Sequence, residues 1–208
     1  LNMEATSFKT LEHVAGVHYV SMFVARALYD AGVPIDLALV SGAAAGHDLG
    51  KFGCKPGEPV PHMHYYYTDR WFHRHQITYI GHIAANHSTW DLEPERLSVE
   101  SLVLIYADFC VKQERVDGEN RTRISSLKEA FEIILAKLEN VDAEKHRRYQ
   151  FVYSRLKDFH DYMVSLGVDT APLDGVPVQA KKMPLVALQN TDESVQSLVY
   201  MGVETNIA

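Results

Sequence analysis

The amino-acid sequence predicts an all-α protein, and three observations carry that expectation. Apolar residues recur at helical spacing through most of the chain, capping patterns stand at the head of several of these stretches, and strand-like alternation is nowhere sustained. Each helix must bury its apolar face against another, so packed helical hairpins are the expected architecture.

Val14, Val17, Val24 and Leu28 set the first helical spacing, over residues 9–31, and the pattern breaks at Gly32, Val33 and Pro34. A second stretch, rich in Ala and Leu, runs from about Ile35 to Leu49 and stops at Gly50. The Gly- and Pro-rich segment from Gly50 to Pro61 reads as a loop. Thr68 or Asp69 can cap a helix that reaches about Ser88, and Pro94 opens the next, near residues 96–114. Ser126 and Glu129 form a capping-box pattern before a further helix, and Asp142 begins one running to about Leu166. From Gly167 the composition shifts to Pro, Gly, Asp and Val, which reads as an extended linker or arm. Asn190 and Glu193 resemble a second capping box, followed by Val195, Leu198, Val199 and Met201. The reading divides the chain into a core over 1–115, an added helical hairpin over 116–167, and an arm with the start of another helix over 168–208. Leu1 in place of an initiator Met, and a last helix that ends almost as it begins, fit a piece of a longer protein. A native C terminus docked on the body, with tag residues at the start, fits equally.

The global balance narrows the function classes. With 27 acidic and 20 basic residues the formal charge is −7, which favours neither a nucleic-acid backbone nor an anionic membrane as partner. Cys54 and Cys110 are far apart and outside any C-x-x-C pattern, so no disulfide framework or cysteine-zinc site is indicated and a reducing cytoplasm is expected. No apolar stretch approaches the ~20 residues that span a bilayer.

Histidine usage is the informative feature, because nine of the eleven histidines fall in the first 87 residues. Neutral imidazole is the commonest metal ligand among side chains, so the clustering suggests a metal site. The adjacent pair His47-Asp48 closes an otherwise apolar helix, where a buried carboxylate beside an imidazole is costly unless it is paired or metal-bound. Hairpin geometry selects a partner. His18 lies 13 residues before Ala31 and His47 lies 13 after Pro34, so each sits about 20 Å from the turn at ~1.5 Å per residue. His13 would overshoot by roughly 7 Å and reads as a surface residue of the first turn. Asp108 is a lone carboxylate beside Leu104 and Ile105 in an apolar helix, and such an acid wants a cation.

His18, the pair His47-Asp48 with Gly50 and Lys51, and Asp108 after Ala107 together resemble the H…HD…D signature of the HD superfamily of metal-dependent phosphohydrolases. The resemblance spans about residues 11–115 and implies an HD-type helical bundle, here with additional C-terminal helices and an extended arm. The segments Ala84–Thr89 and Tyr106–Asp108 are similar to the His-Thr and Ala-Asp segments of bimetallic members, which include hydrolases of dinucleoside polyphosphates. His87 shares a helix face with Ile80 and Ala84 and so points inward, whereas His82 lies about 140° away, with His75, Tyr79 and Asn86. His64 is taken as the remaining ligand, with His62, His73 and His82 as rivals.

The expected ligands are thus His18, His47, Asp48, His64, His87 and Asp108, holding one or two divalent ions. Nitrogen and oxygen donors without thiolate suit Fe, Mn, Co, Ni or Zn. Asp48, Lys51 and His87 are the expected catalytic groups, with Lys51 holding phosphate as a point charge. The expected activity is hydrolysis of a nucleotide or a related phosphate ester or anhydride. Two other classes compete: a nucleotide-sensing regulatory HD module with little turnover inside a larger protein, and a helical scaffold around a structural metal. Tyr65, Tyr66, Tyr67, Trp71 and Phe72 can stack a base, though core packing is the favoured reading. Lys145–Arg148 reads as a solvated helix face, and the C-terminal arm can join a further domain or a second copy of the chain.

Overall fold

A computed structural model describes residues 8–89, 92–116, 118–137 and 142–178. Over these residues the chain is mostly helical, with α1 (Phe8–Asp30), α2 (Leu37–Gly46), α3 (Val60–Arg74), α4 (Thr78–Ala85), α5 (Val99–Cys110), α6 (Leu127–Lys137) and α7 (Ala143–Ser165). A small antiparallel sheet joins them, in the order β1 (Val111–Val116), β2 (Glu119–Ile124) and β3 (Pro177–Val178). Among the described residues no helix is long and apolar enough to cross a membrane.

α1 supplies the central face. Val17, Val20, Val24 and Leu28 recur at intervals of three and four and are almost wholly buried, at ~1.5–3 kcal/mol for each fully buried side chain. That face packs on α2 and α5, and α5 is buried along most of its length, from Val103 to Cys110 with Asp108 as the half-buried exception. Val152, Leu156, Phe159 and Met163 of α7 close the far side of the same core. Local caps start the helices where the sequence places them. Asp36 accepts from the Ala38 and Leu39 amides, Asp142 accepts from the Lys145 amide, and Ser126 and Glu129 exchange the reciprocal bonds of a capping box.

Three expectations are corrected. The single helix expected from about Thr68 to Ser88 is two: α3 starts earlier, at Val60 with a proline in its first turn, and the chain turns at Gln76, a non-glycine residue at φ 59°. The helix near 96–114 ends at Cys110 and the chain becomes a hairpin, closed opposite Val116↔Glu119 with Gly118 at φ 83°. The segment after Gly167 is packed rather than a free arm, since Val168, Leu173 and Val178 are buried and Pro177–Val178 pairs with β2. The further helix expected near Asn190–Glu193 lies outside the described residues. Thr122 of β2 donates from its hydroxyl to the buried Glu12 of α1 at 3.1 Å.

Candidate metal centre

Five helical segments deliver side chains to one buried point. α1 brings His13, the end of α2 brings His47 and Asp48, α3 brings His64, the residues just beyond α4 bring His87, and α5 brings Asp108. The chain after α2 tightens into a 3-10 turn over Leu49–Gly53 that carries Lys51 and lies directly on α3. Gly50 makes this approach possible: its amide donates to the Thr68 hydroxyl at 2.9 Å, and a Cβ there would collide with the His64 carbonyl oxygen. The Thr68 hydroxyl in turn donates to the His47 carbonyl oxygen at 3.1 Å. The glycine two residues after Asp48 therefore sets how close His64 comes to it.

Three imidazoles are held in the same way. The Nδ1 atoms of His47, His64 and His87 lie 2.8, 2.8 and 2.7 Å from the carbonyl oxygens of Ala44, Val60 and Ala84, one helical turn back. A carbonyl oxygen only accepts, so each Nδ1 carries the proton and each Nε2 presents a lone pair. Burial, above all other causes, lowers the pKa of all three rings, with His87 down to about 4. Neutral rings with free Nε2 lone pairs are the metal-binding form. His64 Nε2 and His87 Nε2 face each other at 3.3 Å, lone pair against lone pair. His47 is fully buried, and its Nε2 has no hydrogen-bond partner among the described residues. A buried polar atom without a partner costs ~1–3 kcal/mol, which a bound cation would offset.

The carboxylates complete the donor set. Asp48 is buried and reaches four groups: Lys51 Nζ at 2.5 Å, His47 Nε2 at 3.6 Å, His13 Nε2 at 3.7 Å and His64 Nε2 at 3.7 Å. Burial alone would raise its carboxyl, but Lys51, at 2.5 Å, and His13 act against burial and the carboxyl stands well below the usual range. Asp108 accepts from His13 Nε2 at 2.9 Å and lies 3.9 Å from His47 Nε2, and it is held low by His13 against the same burial effect. Ligand atoms of His13, His47 and Asp108, and of His47, Asp48 and His87, lie within 4.8 Å of one another. Both groups could hold a metal ion, with nitrogen and oxygen donors that fit a divalent transition metal.

The chain matches no family model, no curated protein and no solved structure in comparisons with known proteins.

Of the residues singled out in the sequence, His47, Asp48, Lys51, His64, His87 and Asp108 are brought together, and His18 is not. His18 Nε2 instead lies 2.9 Å from the Ser41 hydroxyl, on a half-buried face of the α1–α2 hairpin. The reason is the connector. Residues 33–36 are non-helical, and extended backbone advances ~3.3 Å per residue against ~1.5 Å in a helix, so the chain returns along α1 faster than a helical count allows. With His18 level with Ser41, the six residues on to His47 correspond to about six back along α1, at Glu12 or His13. His13, read in the sequence as a surface residue, takes the position expected of His18. Its spacing from the buried Val17, Val20 and Val24 is the signal that could have placed it inward.

The rivals of His64 lie elsewhere. His62 and His82 are exposed, and the exposed His73 pairs with Asp69 at 3.4 Å. Of two further neighbours of the centre, Lys112 went unremarked in the sequence and Tyr65 belongs to the aromatic run whose favoured reading is core packing. Lys112, where β1 leaves α5, donates to the Asp108 carbonyl oxygen at 3.0 Å, and the Tyr65 ring packs on His64.

Proposed function

We propose that this chain is a metal-dependent phosphohydrolase of the HD type, acting on a nucleotide or a related phosphate ester or anhydride. The observation that carries the reading is the convergence of three buried, neutral imidazoles, lone pairs inward, on two carboxylates held ionised. With His13 in the place first given to His18, the set follows the H…HD…D order of the resemblance: His13, His47-Asp48, Asp108. These four residues would hold one cation. His64 and His87, with Asp48 shared, would hold a second. When bound, such cations supply Lewis acidity and an activated water near neutral pH.

The chain's own residues do the rest. Asp48 and Asp108 balance the cation charge, and the backbone bonds of His47, His64 and His87 fix the rings in the ligating tautomer before any ion arrives. Lys51, 28% exposed at the rim and bound to Asp48, presents an ammonium to an anionic phosphoryl group. In a chain of net charge −7, Lys51 and the cations provide the local positive field that draws such a substrate. Cys54 and Cys110 are free and buried, in keeping with a cytoplasmic enzyme.

The test is a metal analysis of protein purified without chelator, followed by a screen of nucleotides for phosphate release. The reading expects release that disappears on chelation, returns with Mn, Co, Fe, Ni or Zn, and falls at least ~1000-fold in Asp48→Ala together with the metal content. Turnover unchanged in that variant contradicts it, and tight nucleotide binding without turnover would move the chain to the sensing class.

A further inference from the structure

Three consecutive tyrosines stand midway along α3, and they face three directions because successive helical residues diverge by ~100°. Tyr66 is 53% exposed, and Tyr67 donates its hydroxyl to Glu58 at 3.0 Å. Tyr65 turns to the metal centre. Its ring lies 3.9 Å from the His64 ring and 4.7 Å from the His87 ring, centroid to centroid, and so packs against both imidazoles. It is only half-buried, with Ser88 beside its hydroxyl and Asp48 and Asp108 within electrostatic reach.

The hydrogen-bonding inventory of the centre is lopsided. The carboxylates of Asp48 and Asp108 and the Nε2 atoms of His47, His64 and His87 are all acceptors. The non-bridging oxygens of a phosphoryl group are acceptors too, so each one that meets neither a cation nor Lys51 needs an N–H or O–H donor. A phenol ordinarily keeps its hydrogen at neutral pH, and a donor such as Ser88 at the phenol oxygen would leave that hydrogen for another acceptor. An uncharged donor at the edge of a carboxylate-rich site also escapes the fate of a second ammonium, which the aspartates would capture.

We propose that Tyr65 is a substrate-contacting residue, donating its hydroxyl to a non-bridging oxygen of the bound phosphoryl group, with Ser88 as the residue that orients it. The assignment rests on the phosphohydrolase reading for the identity of the ligand. It gives the tyrosine run a division of labour: Tyr65 for the phosphoryl group, Tyr66 for solvent, Tyr67 for the loop that carries Glu58.

The experiment measures inorganic phosphate binding to Mn²⁺-loaded protein by calorimetry, in wild type, Tyr65→Phe and Tyr66→Phe, with metal content determined for each. Tyr65→Phe keeps the ring and removes only the donor. It is expected to hold the same metal content and to bind phosphate about tenfold to hundredfold more weakly, as for loss of a hydrogen bond to a charged oxygen, while Tyr66→Phe binds as wild type does. Phosphate binding by Tyr65→Phe equal to that of wild type overturns the assignment. So does a loss of metal in Tyr65→Phe, which would make the hydroxyl a support of the ligands, or a loaded wild type that holds no phosphate. The phosphohydrolase reading fails differently: a protein that binds phosphate through Tyr65 and releases none from any nucleotide removes that reading and leaves this one standing.

Discussion

The polar groups of this protein are arranged differently in two regions. Where α7 and the sheet pack on the helical body, polar groups are paired across the junction, the Tyr106 hydroxyl with His160 Nδ1 at 2.9 Å, Thr122 with Glu12 at 3.1 Å and Ser126 with Glu129 in the capping box, while the buried Ser125 hydroxyl has no partner among the described residues. In the candidate metal centre the interactions are left open, with His47 Nε2 unpartnered among the described residues and the His64 and His87 lone pairs opposed. The first region uses polar groups to complete a core that apolar burial has already formed. The second holds polar groups in an arrangement that raises the free energy of the metal-free protein. Such a site is stable only because the surrounding fold over-determines it, and a bound cation would lower its free energy.

The contrast can be broken in either region. Leu156→Ala opens a cavity in the fully buried α7 face and is expected to lower stability by about 3 kcal/mol in denaturant unfolding, with the metal content of the folded protein unchanged. A metal loss in that variant would show that the two regions are not separable. Saturating divalent cation is expected to stabilise wild type by about 2.7 kcal/mol at a hundredfold excess over its Kd, and to stabilise Leu156→Ala by the same increment, since distant sites add. The thermal midpoint with and without cation reads this directly, and an absent shift would deny the centre its cost in the metal-free state. The smallest effect belongs to the cap: Ser126→Ala removes the acceptor for the Glu129 amide and is expected to cost about 1 kcal/mol, with the increment from cation untouched.

What the sequence disclosed and what it hid divide along a physical line. Features set by neighbours in the chain were legible, such as α7 beginning at Asp142, the box at Ser126, and the adjacent His47-Asp48 with its lysine three residues on. Features set by a sum of small distances were not. Choosing between His13 and His18 required the length of an extended connector, and an error of a few residues there moves the ligand by more than one helical turn. The β1–β2 hairpin stayed hidden because its strands are polar, with Lys112, Gln113 and Glu114 in one and Arg121, Thr122 and Arg123 in the other, so no apolar alternation advertises them. The Asp117-Gly118 pair was the available turn signal. The break between α3 and α4 rests on Gln76 in a conformation usually left to glycine, which no residue type at that position announces.

The central claim is that His13, rather than His18, joins His47, Asp48 and Asp108 around a cation. Metal content per chain in protein purified without chelator tests it most directly, in wild type, His13→Ala and His18→Ala. The account predicts that His13→Ala loses metal, while His18→Ala, which removes only the bond to Ser41, retains the wild-type content. Metal lost from His18→Ala and kept by His13→Ala, or a wild type that carries none, would contradict it.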